Sequence, residues 1–434
     1  METKQIDLKD VLIANHKNFE TYLTDKSSSV LIDRRRDAII DFGKLGFPSV
    51  KDEEWKYTNI TPALKKDFTF DAQSSLSAKD IEALLLKNCK GNILVFINGK
   101  YSKEHSTIVS PESNLVIKPF SEGDSAVLEK YFNKGISTTD GFTHLNTAYA
   151  QEGAYIRIPK NKAVEEPVFL YFISDATSAN VFSQPRNIFI AEENSEVKVV
   201  ESYHSVGANS GFSNVVTEIV LHTNANVDYY KVQNDSPLSY HVGTTQVHQE
   251  GKSTFSATTL TLNGAIVRNN LNIVLNAEYS DAHMYGLTLL DENQHVDNHT
   301  IADHAKPHCE SNEMYKAILN GKSSAVFNGK IFVKPDAQKT NAFQSNKTIL
   351  LSPDASMNTK PQLEIFADDV KCSHGATIGQ LDEEPLFYLR ARGISEEKAK
   401  ALLVIAFAQD IIDHIKIEPL REHLLEVLSS KLGY

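Results

Sequence analysis

The chain is poor in cysteine. Its 434 residues include three cysteines, Cys89, Cys309 and Cys372, and no two of them are close in sequence. A disulfide framework needs several pairable cysteines, and a zinc knuckle needs C-x-x-C pairs. Neither can be built here, so a metal bound through a thiolate must take its remaining ligands from other residue types or from another chain.

Long apolar segments are also missing. The longest purely apolar run, Ala401 to Ala408, is far shorter than the ~20 residues that a membrane-spanning helix needs. The segment from Met1 to Asp10 mixes Glu, Lys and Asp and has no apolar core of a secretory signal. We therefore expect a cytoplasmic protein with no membrane association.

The sequence also lacks the features of proteins that bind nucleotides or nucleic acids. Lys and Arg number 44 against 56 Asp and Glu, and the resulting net charge of −12 has the wrong sign for a nucleic-acid binder. A phosphate-binding GxxxxGK[ST] loop does not occur, because Gln246 and Lys316 stand where Gly251-Lys252-Ser253 and Gly321-Lys322-Ser323 would need the first glycine. The chain itself should not hydrolyse ATP.

The middle of the chain has the residue pattern expected of β-strands. Residues 151–380 carry short runs of Val, Ile, Thr, Tyr and Phe separated by Asn, Asp, Ser and Gly. Apolar triplets recur at Ile188–Ile190, Ile219–Leu221, Ile273–Leu275 and Ile349–Leu351. Their spacing fits one, two and three turns of a roughly 25-residue repeat, which favours a solenoid of strands. A β-sandwich remains open.

The two ends of the chain have residue patterns that differ from that of the middle. Residues 1–150 mix helical spacing with strand-like pieces such as Asn92 to Asn98, which ends in an Asn-Gly turn. In 381–434, Ser395 is placed to cap one helix and Pro419 to begin another. We expect this pair of amphipathic helices to cap the open end of the solenoid, or else to serve as a docking surface.

A histidine-rich stretch invites a metalloenzyme interpretation. His295, Asp297 and His299 would point to one face of a strand, and His304 and His308 follow. These residue types bind zinc or iron. A polar, outward-facing ladder of structural side chains accounts equally for the pattern.

A second constellation lies closer to the C-terminus. Cys372 and His374 would share a strand face, with Ser373 on the other. A thiolate and an imidazole suit a soft metal, but two ligands cannot complete a tetrahedral site. A buried thiol beside a structural histidine is the alternative, and the residues alone do not decide between them.

Longer segments resemble a known family. FNGKIFVKPDAQKTNAFQSNKTILL at 327–351, KPQLEIFADDVKCSHGAT at 360–377, LFYLRARGIS at 386–395 and DEEWKYTNI at 52–60 are similar to the SufB/SufD family of iron–sulfur cluster assembly scaffolds. The CSHGAT form of the motif and the chain length are closer to SufD-type than to SufB-type members. The resemblance covers most of the chain and is strongest from 285 to 394.

The resemblance implies a mainly β protein, a right-handed parallel β-helix at 151–380 between an N-terminal helical and mixed region at 1–150 and a C-terminal helical region at 381–434. It also implies a non-catalytic subunit that pairs with SufB through the β-helix and with the SufC ATPase through the C-terminal helices. His374, with Cys372 beside it, would then contribute to a nascent iron–sulfur cluster site shared with SufB.

Two rival functions stay open at this point. One is a metal-dependent β-helical hydrolase or lyase built on His295, Asp297 and His299. The other is a structural adaptor in which Cys372 and His374 only pack. The sequence leaves undetermined whether a flavin binds and whether the isolated chain forms a homodimer through an exposed β-helix edge.

Overall fold

The computed structural model describes residues 7–23, 28–138 and 140–432. The helices are α1 Leu8–Leu23, α2 Ser29–Leu45, α3 Thr61–Leu64, α4 Ala78–Glu82, α5 Ser125–Tyr131, α6 Gly141–Ala148, α7 Glu383–Arg390, α8 Glu396–Ile412 and α9 Glu418–Lys431. Short 3-10 helices lie at Glu53–Trp55 and Phe120–Glu122. Within the described ranges, no helix combines the length and the apolar character that a membrane crossing requires.

Strands occupy most of the chain between these helical ends. In chain order they are β1 Asn92–Ile97, β2 Lys100–Thr107, β3 Val116–Pro119, β4 Ala154–Ile158, β5 Val168–Asp175, β6 Val181–Ser183, β7 Arg186–Ala191, β8 Glu196–Val206, β9 Gly211–Leu221, β10 Asn226–Asn234, β11 Tyr240–Gln249, β12 Thr254–Asn263, β13 Ile266–Leu275, β14 Asp281–Leu290, β15 His295–His304, β16 Glu310–Leu319, β17 Ser324–Val333, β18 Asn341–Leu350, β19 Ser356–Ile365 and β20 Lys371–Gly379.

From β7 onward, the long strands alternate between two sheets as the chain advances. Sheet 1 has the order β2–β1–β5–β8–β10–β12–β14–β16–β18–β20, and sheet 2 has the order β19–β17–β15–β13–β11–β9–β7–β4–β3. Pairing is parallel throughout except for the β1–β2 and β3–β4 pairs at the N-terminal end. The mainly β parallel solenoid with helices at both ends is thus confirmed, and the β-sandwich alternative is wrong.

The repeat length differs from the predicted value of roughly 25 residues. Tyr240 pairs with Ile266, and Tyr155 pairs with Ile188, so a turn takes between 26 and 33 residues. The interval between the last two triplets is also not a whole number of turns. Ile273–Leu275 lies on β13 of sheet 2, whereas Ile349 and Leu350 lie on β18 of sheet 1.

One corner of the solenoid carries a ladder of left-handed residues. Asn161, Asn194 and Asn224 have φ of 61°, 57° and 57°. Asn194 Nδ2 donates to Asn161 Oδ1 at 2.7 Å, and Asn224 Nδ2 donates to Asn194 Oδ1 at 3.0 Å. Asparagine tolerates this backbone region better than most residues with a Cβ. Later at the same corner, Tyr279 and His308 have φ of 62° and 59°, and their rings stack with centroids 4.9 Å apart.

Helices α1, α2, α3 and α6 and the segment around Trp55 cover the outer face of sheet 2. Trp55 and Phe142 pack with Phe212 and Tyr240 of β9 and β11 in one apolar cluster. The predicted Asn-Gly turn is present as well, because Asn98 and Gly99 have φ of 51° and 81° and join β1 to β2. This side of the early and middle turns is therefore closed to solvent.

The C-terminal helices cover the outer face of sheet 1. Ser395 caps α8 by accepting from the backbone N–H of Lys398, and Pro419 lies in the first turn of α9, both as predicted. The helices bury Ile411, Leu424 and Leu428 against apolar side chains of the sheet. The expected cap on the solenoid end is therefore wrong, because the apolar stripes of α8 and α9 pack on apolar side chains along the side of sheet 1.

Burial falls towards the C-terminal end of the solenoid. Every residue of β9 is buried, whereas β20 has no fully buried residue and only Cys372 is partly covered. Phe343, Phe366 and Ile378 are 48%, 58% and 45% exposed. The last turn thus presents an open end and a free strand edge in the described part of the chain.

The corner ladder yields a first prediction. Asn194→Ala should lower the free energy of unfolding by about 1–2 kcal/mol, because alanine disfavours positive φ and the ladder hydrogen bonds are lost. Asn194→Gly removes the same hydrogen bonds but accepts positive φ, so it should retain more stability. Urea denaturation of both variants measures the difference, and equal losses would show that backbone conformation at this corner does not matter.

A buried acid yields a second prediction. Burial raises the pKa of Asp235 to about 7, although a hydrogen bond from Ser205 opposes the rise, and the nearby His241 has its pKa lowered by burial. The folded protein therefore retains a proton that the unfolded chain releases. The stabilisation is complete below the unfolded pKa of about 3.9 and is lost as pH rises through 7.

The Asp235→Asn variant should not show this loss of stability with rising pH. The difference in unfolding free energy between the variant and the wild type should shift in favour of the variant by about 3–5 kcal/mol between pH 4 and pH 8. Urea denaturation across this range measures it. Parallel pH profiles for the two proteins would contradict the assignment.

Candidate functional site

The last strand of sheet 1 holds the predicted cysteine and histidine. In β20, Cys372 pairs in register with Ala342 of β18, and His374 pairs with Gln344. Side chains in register on parallel strands point to the same side of the sheet, and those of Ala342 and Gln344 face the solenoid interior. Cys372 and His374 therefore lie on the inner face of the final turn, with Ser373 on the outer face.

Cys372 and His374 have different surroundings. Cys372 is partly buried and packs beside Leu363 and Val370 at the edge of a small apolar cluster. Burial raises the pKa of its thiol, although a backbone hydrogen bond from Ala342 opposes the rise. His374 is exposed. The thiol is thus protonated in the isolated chain, and a bound metal would have to displace its proton.

Side chains at the same register position as His374 on successive strands of sheet 1 form an inward-facing column, and the two nearest to His374 are polar. Reading inwards from the open end, it consists of Gln344 on β18, Glu313 on β16 and then Met284 on β14. Gln344 Nε2 donates to Glu313 Oε2 at 2.6 Å, and both side chains are buried. Burial raises the pKa of Glu313 to about 7. The sequence analysis did not single out either residue, because 31 residues separate them and no short motif joins them.

Exposed groups surround this end of the molecule. The free edge of β20 faces away from β18, and α7 follows it with no buried residue. Phe387 and Tyr388 of α7 are 74% and 55% exposed. Exposed aromatic side chains beside an unpaired strand edge are typical of a surface that another chain covers.

The histidine-rich stretch has a different environment. His295, Asp297 and His299 share the outer face of β15, as the strand spacing predicted, and they contact the N-terminal segment. His299 Nδ1 lies 3.1 Å from Glu54 Oε2, and its Nε2 lies 3.0 Å from Asp297 Oδ1. Thr58 Oγ1 lies 2.9 Å from His295 Nε2 and also donates to Asp297.

Arg268 completes this network. Its Nη1 donates to Asp297 Oδ2 at 2.5 Å and to the backbone oxygen of Glu54 at 2.7 Å, and its guanidinium lies over the Trp55 ring at 4.7 Å. Burial opposes ionisation of Asp297, but Arg268 and His299 hold its pKa well below the usual range. Arg268 and Thr58 thus both donate to Asp297 Oδ2, and His299 lies beside the other oxygen. The arrangement binds the segment from Glu54 to Thr58 to sheet 2. The structural interpretation predicted the outward-facing ladder but not the N-terminal segment that covers it.

The remaining candidates are dispersed. His304 is buried, its Nε2 lies 2.8 Å from Ser311 Oγ, and burial lowers its pKa to about 4. His308 is exposed at the solenoid corner. Burial raises the pKa of both Cys309 and Cys89 to about 11. Across the described ranges, no group of three or more His, Cys, Asp or Glu side chains is arranged to hold a metal ion.

The docking network yields a third prediction. Asp297→Asn leaves Arg268 buried without its counter-charge, which should cost about 3–5 kcal/mol of unfolding free energy and increase hydrogen exchange in residues 52–60. Asp303→Asn on the same strand removes a partly exposed pair with Lys334 and should cost less than about 1 kcal/mol. Urea denaturation and hydrogen exchange compare the two, and equal effects would contradict the role of Asp297.

Comparison with known proteins gives a consistent result. Residues 172–407 match the SufBD core domain of the SUF system for FeS cluster assembly, and residues 7–170 match the SufBD protein N-terminal region. The chain is 33% identical to an iron–sulfur cluster assembly SufBD family protein of Synechocystis, over 95% of this chain and 93% of that protein. It is 30% identical to the iron–sulfur cluster assembly protein SufD of Escherichia coli over 90% of both, and 28% identical to SufD of Bacillus subtilis over 71% of both. The chain therefore belongs to the SufBD family of iron–sulfur cluster assembly proteins.

Proposed function

We propose that this protein is a SufD-like, non-catalytic subunit of an iron–sulfur assembly complex and supplies one half of a site where a nascent cluster is built. The cluster is the cargo of this site and not a resident cofactor. The observation that carries the proposal is the position of His374 and Cys372 on the inner face of the uncovered last turn. Donors at an open end can meet ligands from a second chain.

The number of donors supports a shared site. One imidazole and one thiol leave a tetrahedral iron with unfilled positions. A SufB-type partner that continues the solenoid beyond β20 would bring further ligands to the same inner face. The partner's own cysteines, or persulfide sulfur that it carries, would complete the coordination.

The surface near the site supports pairing with another chain. The free β20 edge offers unpaired backbone groups to a strand of a second chain. In the isolated protein the same edge is open to pairing with a second copy, and the homodimer that the sequence left undetermined would form through it. A SufC-type ATPase would bind the C-terminal helical region, where Leu402 of α8 is 42% exposed although the opposite side of the helix is buried.

A structural adaptor is the second candidate, and one observation favours it. Cys372 packs beside Leu363 and Val370 as a small apolar side chain would, and its raised pKa keeps it protonated in the free chain. In that case the protein would only hold its partners together. The two candidates differ in what they require of His374.

Substitution of His374 separates the two candidates. In a complex co-expressed with the SufB-type and SufC-type partners, His374→Ala should reduce anaerobic cluster reconstitution at least about tenfold, because a ligand is lost. Visible absorption together with iron and sulfide analysis measures the loaded cluster. Ser373→Ala, on the outer face of the same strand, should reconstitute like the wild type.

Assembly must be checked on the same samples. Size-exclusion chromatography and subunit stoichiometry should show an intact complex for both variants. If the intact His374→Ala complex builds clusters at the wild-type level, the ligand proposal is wrong and the adaptor candidate is correct. Cys372→Ser then tests whether the thiol contributes separately, since serine keeps the size of the side chain and removes the soft ligand.

A further inference from the structure

The side chain next to His374 in the inner column has an unused acceptor. Gln344 is 3% exposed and faces His374 in register. Its Nε2 donates to Glu313 Oε2 at 2.6 Å, but its Oε1 has no hydrogen-bond partner within the described residues. A buried acceptor without a partner is destabilising, so a donor is expected when the site is complete.

The direction of the Gln344 amide is fixed by Glu313. Glu313 lies on β16, to one side of β18, and it is itself buried at 2% exposure. Because the amide nitrogen of Gln344 donates towards β16, its carbonyl oxygen is the atom of the amide that is available to a donor from β20. The next side chain in the column on that side is the imidazole of His374.

We propose that Gln344, oriented by Glu313, positions His374 by accepting a hydrogen bond from one of its ring N–H groups. The other ring nitrogen is then unprotonated and directed towards the open end, where it can bind iron. Histidines that bind metals almost always donate their second ring N–H to an oxygen acceptor, which fixes the tautomer and the ring orientation. The inference rests on the proposed function of His374, and Gln344 is a positioning residue.

The test uses variants that separate the hydrogen bond from packing. Gln344→Leu removes the acceptor but keeps a side chain of similar size. The double variant Glu313→Gln with Gln344→Glu exchanges the two groups, so that residue 344 still accepts from His374 and residue 313 now donates. Thr348→Val is the control, because Thr348 lies on the same strand and inner face and is 3% exposed.

Cluster reconstitution in the assembled complex is the first measurement. Gln344→Leu should load about tenfold less cluster than the wild type, and the exchanged pair should recover most of this loss. Thr348→Val should load normally. A Gln344→Leu complex that loads like the wild type, or an exchanged pair that loads as poorly as Gln344→Leu, would overturn the inference.

Failure of the inference is distinguishable from failure of the proposed function. If His374→Ala loads normally, the ligand role of His374 is wrong. If His374→Ala fails to load while Gln344→Leu loads normally, His374 is a ligand and only the positioning role of Gln344 is wrong.

A second measurement needs no cluster and no partner. Diethyl pyrocarbonate modifies unprotonated imidazole nitrogens, and mass spectrometry of the full-length chain gives the rate at His374 relative to the exposed His308. Loss of a hydrogen bond that holds the ring should raise this ratio about 2- to 10-fold in Gln344→Leu and leave it unchanged in Thr348→Val. An unchanged ratio in Gln344→Leu would count against the inference even if that variant fails to assemble.

Discussion

The whole architecture depends on parallel strands that stack in register from turn to turn. Each turn must return the chain to the same position, although its length varies from 26 to 33 residues. Corner residues absorb the variation, and the left-handed Asn161, Asn194 and Asn224 hold equivalent positions through side-chain hydrogen bonds. Stacking of this kind stabilises every turn that has neighbours on both sides, and it leaves the last turn with one neighbour.

The same constraint explains which parts of the fold could be predicted from the sequence. Local signals such as the Asn98-Gly99 turn, the Ser395 cap and Pro419 are decided by a few neighbouring residues, and they predicted the structure correctly. The repeat length and the position of the C-terminal helices were predicted wrongly. Both depend on contacts between distant segments, since the helices pack on apolar side chains that come from many separate strands of sheet 1.

The candidate site, like the fold, was predictable from neighbouring residues but not where contacts between distant segments decide. Strand periodicity places Cys372 and His374 on one face, and it places His295, Asp297 and His299 on one face equally well. What distinguishes the two groups is their surroundings. Thr58, 237 residues away in sequence, contacts His295, whereas His374 is exposed in the described part of the chain. The spacing of residues along a strand therefore cannot distinguish side chains that hold a neighbouring segment from side chains that bind a metal.

The covered outer faces of the two sheets and the exposed last turn both result from where the terminal segments bind. The N-terminal elements bind the outer face of sheet 2 and the C-terminal helices bind that of sheet 1, so the middle turns have both faces buried. Stability is concentrated there, and a strand edge can stay free at β20 without loss of the fold. A cluster site shared between chains needs such an edge, because its ligands must be rigid enough to keep their geometry and open enough to be met by a partner.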